Sequence, residues 1–451
     1  MELFGTAGIR GPARKQVTPE LALAVGRAIA RDGDEIVLGR DGRTTGAGLA
    51  AAMASGLLSG GVDVKRVGVV PTPTLAYAAQ GRRGVMLTAS HNPPPDNGIK
   101  VFEDGVEYDR ESEQRIEEHV AEGPDPVAWD EWGQSNRIDV LADYRSDVAD
   151  YARAHGAPLD GLTVVVDCGN GVGSLATPQV LRKLGADVTA LNANVDGHFP
   201  GRPSKPTAES LADLRAYVRD GEVDLGIAHD GDADRIVIVD SNGELVHEDT
   251  VLAIAAEHYV RSSEAGDPVV VTTPNASARI DERVRAAGGR VERVRLGALH
   301  EGIARVRGEG GDVIFAAEPW KHIHPAWGDW IDGVASAAVL ARLVAEAGGL
   351  ESLREPVTER PYRKQPVDCP EALKAPAMEL IAERLPDEFP DGEVDTDYGV
   401  RIELPDASWV LVRPSGTEPY VRVYAESDTV GELMDVATAV VEAAVEDADD
   451  E

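Results

Sequence analysis

Short apolar runs alternate with helix-forming stretches up to about Gly349, and each run stops at a loop rich in glycine, proline and polar side chains. Runs at 35–38, 64–69, 84–87, 162–166, 225–228, 235–239, 269–272, 291–294 and 313–316 read as strands. The segments between them carry helix signals, such as Thr18 as N-cap with Pro19 at the first helical position. That rhythm predicts parallel or mixed α/β sheets. A chain of 451 residues is too long for one core and implies three or four domains of roughly 100–150 residues. The polar, proline-containing stretch 123–135 sets the first boundary near residue 150. Further changes of pattern give domains over 1–150, 151–242, 243–352 and 353–451. The last differs in rhythm, with strands near 400–404, 409–413 and 421–425 before a helix from about Val430.

Composition narrows the class. Hydrophobic content is 43 %, only Cys168 and Cys369 occur, and no run of 18 or more apolar residues exists. A disulfide framework and a cysteine-based zinc site are excluded, and the expected setting is cytoplasmic, without signal peptide or membrane span. With 44 basic and 79 acidic residues the net charge is −35, which argues against nucleic acid and anionic membranes as partners. The spread of acidic side chains reads as a halophile-type surface, with a merely acidic mesophile protein as the plain alternative. In so negative a chain, arginine and lysine inside glycine-rich loops stand out as local anion sites.

Six loops carry the chemistry. The run 84–87 ends at Thr88-Ala89-Ser90-His91-Asn92-Pro93-Pro94-Pro95-Asp96-Asn97-Gly98-Ile99-Lys100. Ser90 thus lies beyond the carboxyl end of a strand, where sites gather in open α/β sheets, and Lys100 returns on the next strand. A Ser–His pair by itself is as readily structural. Asp230-Gly231-Asp232-Ala233-Asp234-Arg235 sets three carboxylates at i, i+2 and i+4. In an extended or gently curved segment they point one way and can share a hard cation. An EF-hand is excluded, since position six is Arg235 and position twelve is Ser241; a solvated acidic turn is the plain alternative.

Arg413-Pro414-Ser415-Gly416-Thr417-Glu418-Pro419, followed by Arg422, combines hydroxyls, exposed amides and a forked guanidinium suited to an anion, or forms an ordinary turn. Ala317-Glu318-Pro319-Trp320-Lys321-His322-Ile323-His324 follows the run 313–316. Phe4-Gly5-Thr6-Ala7-Gly8-Ile9-Arg10-Gly11 opens the chain, and Gly39-Arg40-Asp41-Gly42-Arg43 ends an early strand; Arg10 and Arg43 could each be surface arginines. Asp167-Cys168-Gly169-Asn170-Gly171-Val172-Gly173-Ser174 imitates a dinucleotide fingerprint, but its third glycine position is Ser174, so it reads as a tight strand–helix turn.

Taken together, these strings resemble the α-D-phosphohexomutases, the phosphoglucomutase/phosphomannomutase superfamily. The resemblance implies three similar mixed-sheet α/β domains plus a smaller C-terminal α+β domain around a central cleft. It implies Ser90 as the phosphoryl carrier and Asp230, Asp232 and Asp234, with the serine phosphate, as Mg²⁺ ligands. Arg10 and Arg235 would line the reaction centre, and Arg43 is a weaker match. Arg413, Ser415, Gly416, Thr417 and Arg422 would clamp the non-reacting phosphate. Glu318 matches the glutamate that accepts sugar hydroxyls. Here the sequence departs from the common Gly-Glu-x-Ser-Gly-His pattern: Trp320 and Lys321 replace Ser and Gly, and His322 or His324 is the counterpart histidine. Trp320, Trp327 and Trp330 are packing residues or sugar-stacking ones.

The expected reaction moves a phosphate between C1 and C6 of a hexose phosphate through phospho-Ser90, with glucose- or hexosamine-1,6-bisphosphate as intermediate and activator. Lys100 is the candidate acid/base, its pKa expected to fall because Arg10 and Arg235 lie near. His91 is expected to orient the loop. The motifs look most like the phosphoglucosamine mutase and archaeal phosphomannomutase branches, placing glucosamine phosphate ahead of mannose, glucose and pentose phosphates. A Mg²⁺-dependent sugar-phosphate phosphatase and a non-catalytic sugar-phosphate binder are the rival classes.

Overall fold

A computed structural model describes residues 3–5, 8–415 and 418–450, the last without its side chain. It divides into two compact units, 1–251 with 314–354 and 252–313 with 355–451. Mixed sheets and helices build both, as the strand–helix rhythm predicts.

In the first unit the leading sheet runs in the order Ile9–Pro12, Asp96–Glu103, Arg83–Leu87, Glu35–Arg40, Asp63–Val69, Ser135–Arg137, with Val106–Glu107 beside Asp96–Glu103. The central strands are parallel. Arg83–Leu87 and Asp96–Glu103 are antiparallel, with Met86 opposite Lys100, and Arg10 lies opposite Gly98 on the next strand out. Helix Pro19–Ile29 is capped by Thr18, whose hydroxyl accepts the Leu21 amide, and lays Val25 and Ile29 on helix Gly46–Ser59 and the sheet. A second sheet runs Val237–Val239, Leu225–Ala228, Thr163–Asp167, Asp187–Leu191, parallel except for its first pair.

Beyond these, Asp312–Glu318, Lys321–His324 and Gly328–Ile331 form an antiparallel meander that the sequence pattern did not reveal. Helix Gly333–Ala347 follows, capped by Asp332. That carboxylate also accepts hydrogen bonds from Tyr144 and from the indoles of Trp327 and Trp330. Both tryptophans therefore pack rather than present a ring to a ligand.

The second unit contains parallel strands Pro268–Thr272 and Arg290–Arg293 joined by helix Ala278–Ala287. It also contains an all-antiparallel sheet ordered Tyr362–Asp368, Tyr420–Glu426, Trp409–Pro414, Val400–Glu403, Glu393–Asp395. Helices Lys374–Glu388 and Val430–Asp450 bury Ile381, Leu385 and Val441 against Val410, Val412 and Val423. Alternation of apolar residues along the strands gives that sheet its buried face. Among the described residues, no helix is long and apolar enough to cross a membrane.

Candidate active site

Ser90 stands one turn past strand Arg83–Leu87, fully buried, with φ +50°. A non-glycine residue in the left-handed region needs outside support, and Arg43 supplies it. All five N–H groups of its guanidinium are used: Nε donates to Asp41 Oδ2 (3.0 Å), and the two terminal nitrogens donate to the carbonyls of Ser90, Asn92, Pro93 and Asp96 at 2.8–3.0 Å. Thr88 Oγ1 donates to Asp41 (2.8 Å) and accepts the Ser90 amide (2.9 Å). Arg43 is 1 % exposed, so it is no surface arginine but the residue that shapes the serine loop.

The aspartate loop lies directly opposite. Ser90 Oγ donates to Asp230 Oδ2 at 2.5 Å. A Cβ on Gly231 would come within 2.7 Å of the Ser90 carbonyl, so only glycine permits this approach. Asp230, Asp232 and Asp234 are all buried, and each offers an oxygen within 4.8 Å of the others. Extended alternation is not what makes them converge, contrary to expectation. Ala233 takes φ +60° and the segment turns, folding the carboxylates inward.

The loop is held from behind by the glycine-rich turn that imitates a dinucleotide fingerprint: the Val172 amide donates to Gly231 O (3.1 Å). Its far end is fixed by His229 Nδ1, which donates to Arg235 O (2.7 Å) while Nε2 accepts from Thr177. Burial pushes His229 down to about 4, so it stays neutral in these roles.

Three like charges this close repel one another. Burial, then Asp234 and Asp232, push Asp230 well above the usual carboxylate range. For Asp234 burial works the same way, but Lys100, Lys321 and Arg235 outweigh it and hold the group low. Oδ1 of each aspartate is buried without a hydrogen-bond partner among the described residues. A hard divalent cation would both neutralise the cluster and fill those acceptors, so the residues fit one. Thr72, the first residue of helix Thr72–Ala78, donates its hydroxyl to Asp232 Oδ2 (2.7 Å).

Lys100 reaches the same cluster, its Nζ 3.0 Å from Asp234 Oδ2 and 3.1 Å from Glu107 Oε1. The expected depression of its pKa is reversed. Burial acts downward, but Glu107, Asp234 and Asp232 prevail over it and over Arg10, and the ammonium is held above its ordinary value. Lys100 is therefore a fixed cation here, not a group poised near neutrality. His91 Nδ1 is 3.4 Å from Ser90 Oγ. Burial first, then Arg235 and Arg10, lower it to about 3, leaving a neutral ring. Arg235 Nε lies 3.7 Å from Asp230 and 3.9 Å from Asp234.

Glu318, half-buried, ends its strand opposite Lys321 across the two-residue turn Pro319-Trp320. Neither candidate histidine shares that face. His322 and His324 alternate to the other side, 1 % exposed, with rings 5.4 and 5.5 Å from Phe315, and Ser336 bonds His324 Nε2 at 2.8 Å. Burial lowers His322 to about 4. The strand period that brings Glu318 and Lys321 together turns both imidazoles into the core, which corrects their assignment to the sugar.

In the other compact unit Arg413 and Arg422 sit directly opposite one another on adjacent antiparallel strands. Each guanidinium leans on a tyrosine, Arg413 on Tyr424 and Arg422 on Tyr420. Ser415 is buried, its amide bonded to Tyr420 O and its carbonyl to Lys374 Nζ. Two cations facing each other across a ladder are unfavourable without an anion between them. Gly416 and Thr417 lie outside the described residues, as do Thr6 and Ala7.

Four family models cover nearly the whole chain: phosphoglucomutase/phosphomannomutase alpha/beta/alpha domain I over residues 1–126, domain II over 142–243, domain III over 247–362, and the C-terminal domain over 367–443. The chain belongs to the phosphoglucomutase/phosphomannomutase family. Its four domains are the three α/β domains and the distinct C-terminal domain of that fold.

Among relatives, the phosphopentomutase of Thermococcus kodakarensis is 45 % identical over 100 % of both chains. The "Probable phosphoglucosamine mutase" of Methanopyrus kandleri is 42 % identical over 98 % of each. A phosphoglucomutase/phosphomannomutase family protein from Burkholderia thailandensis superposes with a TM-score of 0.86 at 27 % identity, covering 98 % of this chain and 97 % of its own. Membership makes the chain an isomerase of the phosphohexomutase type. Arg43, Thr72, Glu107 and Lys321 are the neighbours of this family site that motif reading passed over or undervalued. Arg43, inside a short glycine-flanked loop at a strand end, and Lys321, a departure from the common sugar-reading pattern, left a signal in the sequence; Thr72 and Glu107 did not.

Proposed function

We propose that the chain moves a phosphate between C1 and C6 of a hexose phosphate by way of phospho-Ser90 and a sugar bisphosphate, with glucosamine phosphate as the leading substrate. The supporting observation is the 2.5 Å contact of Ser90 Oγ with Asp230 inside a buried carboxylate cluster suited to a cation. In the forward step the P–Oγ bond of phospho-Ser90 breaks as a P–O bond to the sugar hydroxyl forms, and the hydroxyl proton ends on Ser90 Oγ. The return step reverses this with the sugar's other phosphate. Mg²⁺ held by Asp230, Asp232 and Asp234 would offset charge on the transferring group. Lys100, Arg10 and Arg235 add fixed positive charge, His91 orients the serine loop, and Glu318 accepts sugar hydroxyls. Arg413, Ser415, Gly416, Thr417 and Arg422 are assigned to the non-reacting phosphate.

A second reading, transfer between C1 and C5 of a pentose phosphate, is favoured by the end-to-end similarity to the Thermococcus phosphopentomutase. A panel of glucosamine, mannose, glucose and pentose phosphates with Mg²⁺ ranks the two. Ser90→Ala should abolish turnover and incorporation of phosphate, read by intact mass, while sugar-phosphate binding persists. Sustained turnover by Ser90→Ala would refute the phosphoserine route. Release of inorganic phosphate without isomerisation would mark a phosphatase, and a serine never phosphorylated would mark a binder.

A further inference from the structure

Three parallel strands of the leading sheet, Glu35–Arg40, Asp63–Val69 and Arg83–Leu87, end on one edge. Three residues beyond each end stands a residue of the site: Arg43, Thr72 and Ser90. Such edges are where α/β sheets gather ligands. Arg43 shapes the serine loop and Ser90 meets Asp230, whereas Thr72 has no part in the transfer as described. Thr72 is 3 % exposed and lies between the core residues Val70 and Leu75. A valine of nearly the same shape would pack there without burying a hydroxyl, which is costly unless the hydroxyl is bonded. Thr72 bonds Asp232 twice. Its hydroxyl donates to Oδ2 at 2.7 Å, and its amide donates to the Asp232 carbonyl at 3.0 Å. Pro71 and Pro73 on either side narrow the backbone choices of the residue that carries both donors.

The other two aspartates are held in the same manner. Ser90 Oγ donates to Oδ2 of Asp230 at 2.5 Å, and Lys100 Nζ donates to Oδ2 of Asp234 at 3.0 Å. In all three carboxylates Oδ1 is buried without a hydrogen-bond partner among the described residues. Lys100 Nζ stands 4.0 Å from Asp232 Oδ2, beyond hydrogen-bond distance, so it does not substitute for the hydroxyl. Each carboxylate is gripped by one oxygen and open at the other, and Thr72 grips the middle one.

We propose that Thr72 is a positioning residue of the metal site, its hydroxyl fixing the Asp232 carboxylate so that Oδ1 stays open to a divalent cation. Hydrogen-bond partners of this kind orient the ligands they touch and so set metal affinity. The inference rests on the Mg²⁺ assignment within the proposed function and requires no sugar.

The test measures Mg²⁺ binding to the dephosphorylated full chain by isothermal titration calorimetry, well below the unfolding midpoint of every variant. The event followed is the one that Asp234→Asn removes, which separates it from loose binding to so acidic a surface. Two pairs differ in the hydroxyl: native against Thr72→Val, and Thr72→Ser against Thr72→Ala. In each, the hydroxyl-free member should bind Mg²⁺ about 10- to 100-fold more weakly. Thr72→Ser keeps the donor and should stay within about threefold of the native affinity. Equal affinities within a pair overturn the proposal. Should Thr72→Val not fold, the Ser–Ala pair decides; loss of the fold in both hydroxyl-free variants makes Thr72 a packing residue and overturns the proposal as well. If no Mg²⁺ event in the native chain depends on Asp234, the metal assignment falls and this inference with it. Native binding with an indifferent hydroxyl removes only the inference.

Discussion

Replacing Arg43 with methionine tests what holds the serine loop. Charge-assisted hydrogen bonds contribute about 1.5–3 kcal/mol each, and five of them would sum to the entire stability of an ordinary domain. Simple addition is therefore the wrong estimate. The dominant loss is that Asp41, buried and fully committed to Arg43 and Thr88, is left without a counter-charge. Breaking a buried pair from one side costs about 3–5 kcal/mol.

Urea unfolding monitored by circular dichroism should show the deficit, and it should depend on pH. Burial pushes Asp41 up to about 6 even with Arg43 pulling it down. A carboxyl whose folded pKa exceeds its unfolded value contributes stability that is fully present below the unfolded value and lost as pH rises through the folded one. Without Arg43 the folded value climbs further, so the variant's deficit should be largest above about pH 7 and shrink toward pH 4. Arg43→Met combined with Asp41→Asn should recover part of it. A deficit below about 0.5 kcal/mol, the ordinary scatter of surface substitutions, or one that ignores pH would refute the reasoning.

Two further expectations follow from the charges of the site and its flanks. Because Glu107 and Asp234 hold Lys100 protonated, the pH profile of kcat/KM should contain no limb near neutrality that belongs to it; a limb that vanishes in Lys100→Arg would contradict this. His322 titrates at about 4 in the fold against about 6.5 when unfolded, so its contribution to stability is present above 6.5 and lost as pH falls toward 4. His322→Gln should flatten the acid limb of urea stability by at most about 1.4 kcal/mol per pH unit while leaving KM for the sugar phosphate near native. A large rise in KM would return His322 to the sugar.

Sequence alone determined the strand–helix rhythm, the family, and the placement of Ser90 and the aspartate trio at strand ends. These are local facts: apolar runs specify strands, and the polar loops that stop them are written contiguously. Tertiary structure decided the rest, because it depends on what meets across the chain. Arg43 became a loop anchor only where four carbonyls of the serine loop converge on it. Lys100 gained charge stability instead of losing it, since Glu107 and Asp234, in ion-pair contact with it, outweigh burial and Arg10. The two histidines turned inward because an antiparallel hairpin, invisible in the short segment 317–324, fixed which residues share the face of Glu318. Electrostatic sign and strand register are properties of neighbours, and neighbours distant in sequence are what folding supplies.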